Sequence, residues 1–230
     1  MSGSVSVAEV FIAVGTMLND AGFARWTRAE LQRHLNDAYR AIVTNRPDAS
    51  TERVDVALAA GAKQSVASVS GVIAVLDVVR NVADNSAGRS VELILRDVLD
   101  TQLPGWRKDA GSINIDHWIF DIRTPMEFEV YPPAADGAAV EVLCSVMPVQ
   151  HALTSQQLSG TADITETISL DDIYMPAIVS WMLHRSYSKD DETGEANKAN
   201  QNLAEFKDFM GVKTSTDVSM LKLPNGGGAS

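Results

Sequence analysis

Apolar residues recur at three- and four-residue spacing at both ends of this chain and alternate with polar ones through its middle. Val7, Val10, Phe11, Val14 and Leu18 form the first helical stripe, predicted over residues 4–20, with Asn19, Asp20 and Gly22 as its exit. A second helix is predicted over 27–45, with Leu31, Leu35, Ala38 and Ile42 on one face. Thr27 and Glu30 read as its capping box, Trp26 and Leu31 stand at the two positions of a hydrophobic staple, and Pro47 closes it.

The stretch from Asp171 to Asp190 organises the remainder. Asp171 is predicted as an N-cap, and Asp172 adds negative charge to a first turn whose free N–H groups favour it. Ile173, Tyr174, Ala177, Ile178, Trp181 and Met182 make a stripe, while Met175, Val179 and Leu183 fill much of the opposite side. A helix over 172–189 so constituted must be buried all round. Pro176 falls about one turn in, where a missing N–H costs little. With His184 and Arg185 it shortens the apolar core to roughly a dozen residues, fewer than a bilayer span needs. A fourth helix is predicted over 194–210 from Ala196, Ala199, Leu203, Phe206 and Met210, with Gly211 as C′ residue.

Between these ends the period changes to two. Val54–Leu58, Val72–Leu76, Ile113–Ile115, Trp118–Phe120, Phe128–Tyr131 and Val140–Leu143 read as strands, with Pro125, Pro132, Pro133 and Gly137 as turn residues between them. One exception is 91–102, where Val91, Leu95, Val98 and Leu99 have helical spacing and predict a short helix. The expected fold is therefore α+β: a four-helix bundle formed by N- and C-terminal helix pairs, with an inserted antiparallel β-sandwich or barrel-like part. The corresponding boundaries are 4–48 and 171–211 for the two helical hairpins, 50–170 for the inserted β-rich domain, and 212–230 for an extended C-terminal arm.

Composition narrows the chemistry. The 230 residues hold 19 basic and 30 acidic side chains, a formal charge of -11. Gripping nucleic acid over a whole surface requires Lys and Arg, so this balance argues against it, whereas an acidic wall suits DNA that slides past without sequence-specific binding. Cys144, the only cysteine, excludes an intrachain disulfide and lies in an alternating apolar run, as a buried thiol. His34, His117, His151 and His184 are widely spaced and stand in no HExxH or Cys/His array, and no GxGxxG, GxxxxGK[ST] or GxSxG occurs. The expectation is no metal, no cofactor and no catalytic residues. The N-terminus lacks the features of a secretion signal, which points to assembly in the cytoplasm, and no membrane partner is expected.

Arg185, Lys189 and Asp190 form a polar cluster at the exit of the 172–189 helix, read either as pairing across a subunit boundary or as complementing the helix C-terminus. Trp26, Trp106, Trp118 and Trp181 are read as core or interface anchors. A competing reading makes the chain a monomeric β-rich binding module for glycan or fibre attachment, with Trp106, Trp118 and Tyr131 as exposed platforms.

Several phrases carry a resemblance: WTRAELQRHLNDAYRAIVTNRPDAS near the start, LDTQLPGW and FDIRTPMEFEVYPP in the middle, and LDDIYMPAIVSWMLHRSYSKDDE with the helix ending in FMGVK. Over roughly residues 23–213 the chain resembles the head-to-tail adaptors of short-tailed bacteriophages, the tail tubular protein A type. The resemblance implies a structural virion protein of the tail or neck. It implies a homo-oligomeric ring, a dodecamer, docked on the portal protein, meeting the tail nozzle or next tail protein, and continuing the DNA channel. Residues 214–230 would then be a portal-binding arm, with Met220, Leu221 and Leu223 as anchoring residues.

Overall fold

The computed structural model describes residues 4–82, 88–189 and 193–220, apart from the side chains of 193, 194 and 212–220. The protein is α+β, with six α-helices and two sheets among the described residues. It divides into two compact units, one made of Met1–Ala49 with Pro148–Ser230 and the other of Ser50–Met147.

In the first unit, α1 (Val7–Met17) begins at a complete capping box: Ser6 Oγ accepts from Glu9 N, and Glu9 Oε2 accepts from Ser6 N at 2.7 Å. The turn after it is gathered by Asp20, whose carboxylate accepts the N–H groups of Ala24, Arg25 and Trp26, each at 2.9 Å. Gly15 permits this turn, because a Cβ there would lie 3.0 Å from Phe23 and 3.2 Å from the Asp20 carbonyl. α2 (Arg28–Asn45) starts at Thr27, which caps Glu30 N. Only that half of the expected box forms, since the Glu30 carboxylate reaches Lys189 Nζ at 3.0 Å instead. α4 (Ser155–Ser159) is a single turn that periodicity does not reveal, closed by a Thr154/Gln157 box and by Gly160 in left-handed conformation.

The 172–189 stretch opens as a 3-10 turn, Asp172–Tyr174, capped by Asp171, and continues as α5 (Met175–Tyr187) with Pro176 in its first turn. α5 packs on α1, on α2 and on α6 (Thr193–Met220). Ala177, Ile178, Val179, Met182, Leu183 and Tyr187 are buried around its circumference, as an all-round apolar helix requires, but Ile173 lies outside the helix and is exposed. α6 continues to Met220, beyond the exit expected at Gly211, so residues 212–220 are helical rather than extended. A single Gly costs a helix only about 1 kcal/mol, too little to end it.

The N-terminal segment is fastened to the region preceding α5. Val7 N donates to Glu166 O and Ile168 N to Val5 O, while the Asp172 carboxylate accepts from Ser4 N, Ser4 Oγ and Val5 N. These bonds join residues more than 150 positions apart in the chain.

In the second unit, β1 (Thr51–Ala57), β7 (Ala139–Val146) and β3 (Val72–Asn81) form one antiparallel sheet in the order β1-β7-β3. β2 (Gly61–Ser65), β6 (Glu127–Ala134), β5 (His117–Phe120) and β4 (Glu92–Leu93) form the other, in the order β2-β6-β5-β4 with β4 parallel to β5. Val75, Val78, Val140 and Val142 of one sheet share a core with Trp118, Phe128 and Val130 of the other. Buried Asn81 fixes the end of β3 by donating to the Arg89 and Ile115 carbonyls and accepting from Ile115 N.

Three expectations change here. The helix predicted over 91–102 begins only at Arg96: α3 is Arg96–Gln102, and Glu92–Leu93 pair with His117–Trp118 as a strand. Ile113–Ile115 is no strand, because Ile115 is held by Asn81 and its neighbourhood forms only the bridge Ser112↔Ala134. Pro132 and Pro133 lie inside β6 rather than in a turn. They fit because β5 pairing ends at Tyr131 and the β2 register is irregular there, so no ladder N–H is missed.

Candidate functional site

The sequence-predicted residues Arg185 and Lys189 stand on a polar seam between α2 and α5. Glu30 pairs with Lys189 at 3.0 Å, the Ser186 hydroxyl meets His34 Nδ1 at 3.3 Å, and Arg185 approaches Asp37 at 3.9 Å. Glu30, His34 and Asp37 recur at four- and three-residue spacing, one face of α2. Trp26 Nε1 adds a bond to Ser186 O, and His184 Nδ1 meets the Ala199 carbonyl, tying α5 to α6. Burial holds His34 below the ordinary imidazole range. Arg185 and Lys189 thus have partners within their own chain. Asp190, Leu221 and Leu223 lie outside the described residues, and Met220 is the last residue of α6.

A second seam binds residues 150–153 to α2. Asn36 exchanges two bonds with the His151 backbone, Gln32 accepts from Leu153 N, and Arg40 donates to Gln150. Tyr39, fully buried, places its hydroxyl 2.9 Å from His151 Nε2 and accepts from Ser169 N. Burial pushes the Tyr39 phenol up to about 12 and His151 down.

Two clefts flank α1. The larger, about 490 Å3, runs between α1, α5 and α6, with Met17, Met175, Val179 and Leu183 on its apolar side and Gln201 and Glu205 on its rim. The smaller, about 190 Å3, is lined by Phe11, Ile12, Phe23, Arg28 and Asp163. Ile12 and Met17 are 60% and 56% exposed, unusual for large apolar side chains on a packed helix.

In the strand unit the phrases that carry the resemblance prove to be local scaffolding. LDTQLPGW brings Gly105, at φ 89°, ahead of buried Trp106, whose indole N–H donates to Asp100 at 2.8 Å. Arg107 covers the Trp106 ring, chelates Glu129 through two bonds and reaches Asp100. The Trp106 bond first, then Arg107, holds the Asp100 carboxyl below its usual range. FDIRTP turns on Asp121, which accepts from the Arg123 backbone and guanidinium. On the other sheet Glu141 joins Arg53 and Arg80 across three strands.

Trp106 and Trp118 are 1% and 2% exposed, so neither offers a stacking platform of the kind a glycan-binding module needs. Cys144 is buried and its thiol is pushed up by desolvation. No grouping of His, Cys, Asp and Glu among the described residues is suited to a metal ion, and no helix among them is long and apolar enough to cross a membrane.

The polar seams of both units bind element to element, and exposed apolar side chains stand on both units, Ile12 and Met17 on α1 and Leu95 and Ile122 in the strand unit, an arrangement suited to a structural protein that works through protein contacts. The chain belongs to the SU10 adaptor protein family, whose model matches residues 5–226. It is accordingly a phage structural adaptor, a component of the virion. No curated protein matches it individually.

Proposed function

We propose that this protein is a head-to-tail connector: a homo-oligomeric ring that joins the portal to the tail and continues the DNA channel. The observation that carries the reading is the family match over residues 5–226, nearly the whole chain. In this reading α1, α2, α5 and α6 are a four-helix block forming the ring wall, and the strand unit is a sandwich directed at neighbouring tail components. The α2–α5 seam with Arg185 and Lys189 keeps that wall rigid under load. A formal charge of -11 suits a channel through which DNA phosphates pass without adhering. The segment from Met220 through Leu221 and Leu223 serves as the portal-binding arm, and the ring holds twelve copies, by likeness to short-tailed phage adaptors.

Electron microscopy of the purified full chain mixed with its portal tests this. The expected result is an additional closed ring on the tail-facing side of the portal. A chain that stays monomeric and leaves the portal undecorated would overturn it.

A further inference from the structure

The open edge of the β1-β7-β3 sheet is self-complementary, and we infer that β1 pairs antiparallel with β1 of a second copy, joining two chains about a two-fold axis at Val54. β1 stands at the end of its sheet and has no ladder partner but β7 among the described residues. Leu58 N donates to Ala138 O and Val146 N to Ser50 O, so the even-numbered residues of β1 form the hydrogen-bonded pairs with β7. The N–H and C=O groups of Thr51, Arg53, Asp55 and Ala57 therefore point away from β7, and all four residues are exposed. A strand of 7 residues, without proline or bulge, is a template for another strand.

Charge selects both the occupant and the register. With Val54 opposite Val54 of the second copy, Arg53 faces Asp55, Asp55 faces Arg53, and Thr51 and Ala57 face each other. Every outward residue then belongs to a narrow pair that exchanges two N–H···O bonds. A slip of one residue opposes outward groups to inward ones. A slip of two sets Arg53 against Arg53 in one direction and Asp55 against Asp55 in the other, and shortens the ladder. Asp55 also lacks a cation among the described residues: it lies directly opposite Glu141 on β7, and Glu141 holds Arg53 and Arg80. Arg53 gives Glu141 only Nη1, at 2.7 Å, and its side chain is 63% exposed, so further donors remain for Asp55 of the second copy. A charged edge repels most strands, and this one admits a copy of itself. Neighbours in a closed ring of many copies meet through heterologous contacts, so this isologous pair describes the chain before it joins a ring and does not rest on the ring reading.

Sedimentation velocity of the full chain over a concentration series, without portal, tests the pairing. The wild type is expected to pass from monomer to dimer as concentration rises. Asp55→Arg and Arg53→Asp should each weaken the dimer about tenfold or more, because like charges then meet on both sides of the axis. Mixed together, the two variants should pair with each other, since one presents two cations and the other two carboxylates at facing positions. Circular dichroism and melting temperature establish that each variant is folded. Val54→Cys reads the register directly: facing residues at the axis form a close, non-hydrogen-bonded pair, so mild oxidation should link two chains by a disulfide. The wild type, whose Cys144 is buried, should not be linked. A wild-type chain that stays monomeric throughout, single variants that dimerise as well as wild type, folded variants that fail to pair when mixed, or a Val54→Cys chain that is not linked would each overturn the pairing. None of these results bears on the ring, which the mixture with portal tests separately.

Discussion

Replacing Ile178 with alanine probes the packing that brings the two chain ends together. Ile178 is fully buried on α5, four residues from buried Tyr174 and four from fully buried Met182, on the helix that touches α1, α2 and α6. The change deletes three carbons, worth about 2.4 kcal/mol of transfer free energy at roughly 0.8 kcal/mol per buried carbon. The space left is walled by helices that cannot fully collapse, which adds about 1 kcal/mol or more and brings the expected loss to about 3–4 kcal/mol. Urea unfolding followed by far-ultraviolet circular dichroism measures it, since helix dominates that signal. A loss below about 1 kcal/mol, with an unchanged denaturant slope, would mean that α5 is not at the centre of a packed helical unit.

Tyr39→Phe should cost about 1–3 kcal/mol in the same assay, because Ser169 N and His151 Nε2 lose a buried partner; a neutral outcome would remove that seam from the account. Asp172→Asn should leave the protein folded but speed amide exchange at Val5 and Val7, and unaltered protection there would contradict the clasp between the N-terminal segment and the start of α5. Acid should act in two stages. His34 and His151 sit below the ordinary imidazole value of 6.5 in the folded chain, so the unfolded chain takes up those protons first and stability declines as pH falls below about 6.5. Asp20, Glu141 and Asp172 are held low chiefly by the Trp26 N–H, Arg80 and the Ser4 hydroxyl respectively, so their contribution is present above about pH 4 and is lost as pH falls below it. Denaturant midpoints measured from pH 7 to pH 3 check both stages, and a flat profile between pH 7 and pH 5 would refute the histidine part.

Helix positions were legible wherever a cap and an apolar stripe coincided. Thr27 and Leu31 located α2, and Asp171 with Pro176 located the entry to α5 within a few residues. Local signals failed where pairing partners lay far away. Glu92 and Leu93 fall in a stretch whose Val91, Leu95, Val98 and Leu99 have helical spacing, yet are drawn into a strand by β5, and Gly61–Ser65 is too polar to announce itself as β2. Pro132 and Pro133 have the composition of a turn, and only the end of β5 pairing at Tyr131 reveals why a strand accepts them. Polar residues at helix ends were legible as charges but not as contacts. Lys189 meets Glu30, and Asp172 meets Ser4, across separations of 159 and 168 residues that no local pattern reports. The larger cleft beside α1 was invisible for the same reason, being shaped jointly by helices from opposite ends of the chain. The family, by contrast, was readable in turn-building phrases such as LDTQLPGW and FDIRTP, whose Trp106, Arg107 and Asp121 build structure with specific bonds.

The connector role is tested most directly in the virus itself, by electron micrographs of particles from host cells infected with a phage carrying a nonsense mutation in this gene. The account predicts DNA-containing heads that lack tails, with tailed infectious particles returning when the protein is supplied in trans. Normally tailed, infectious particles made without the protein would contradict it.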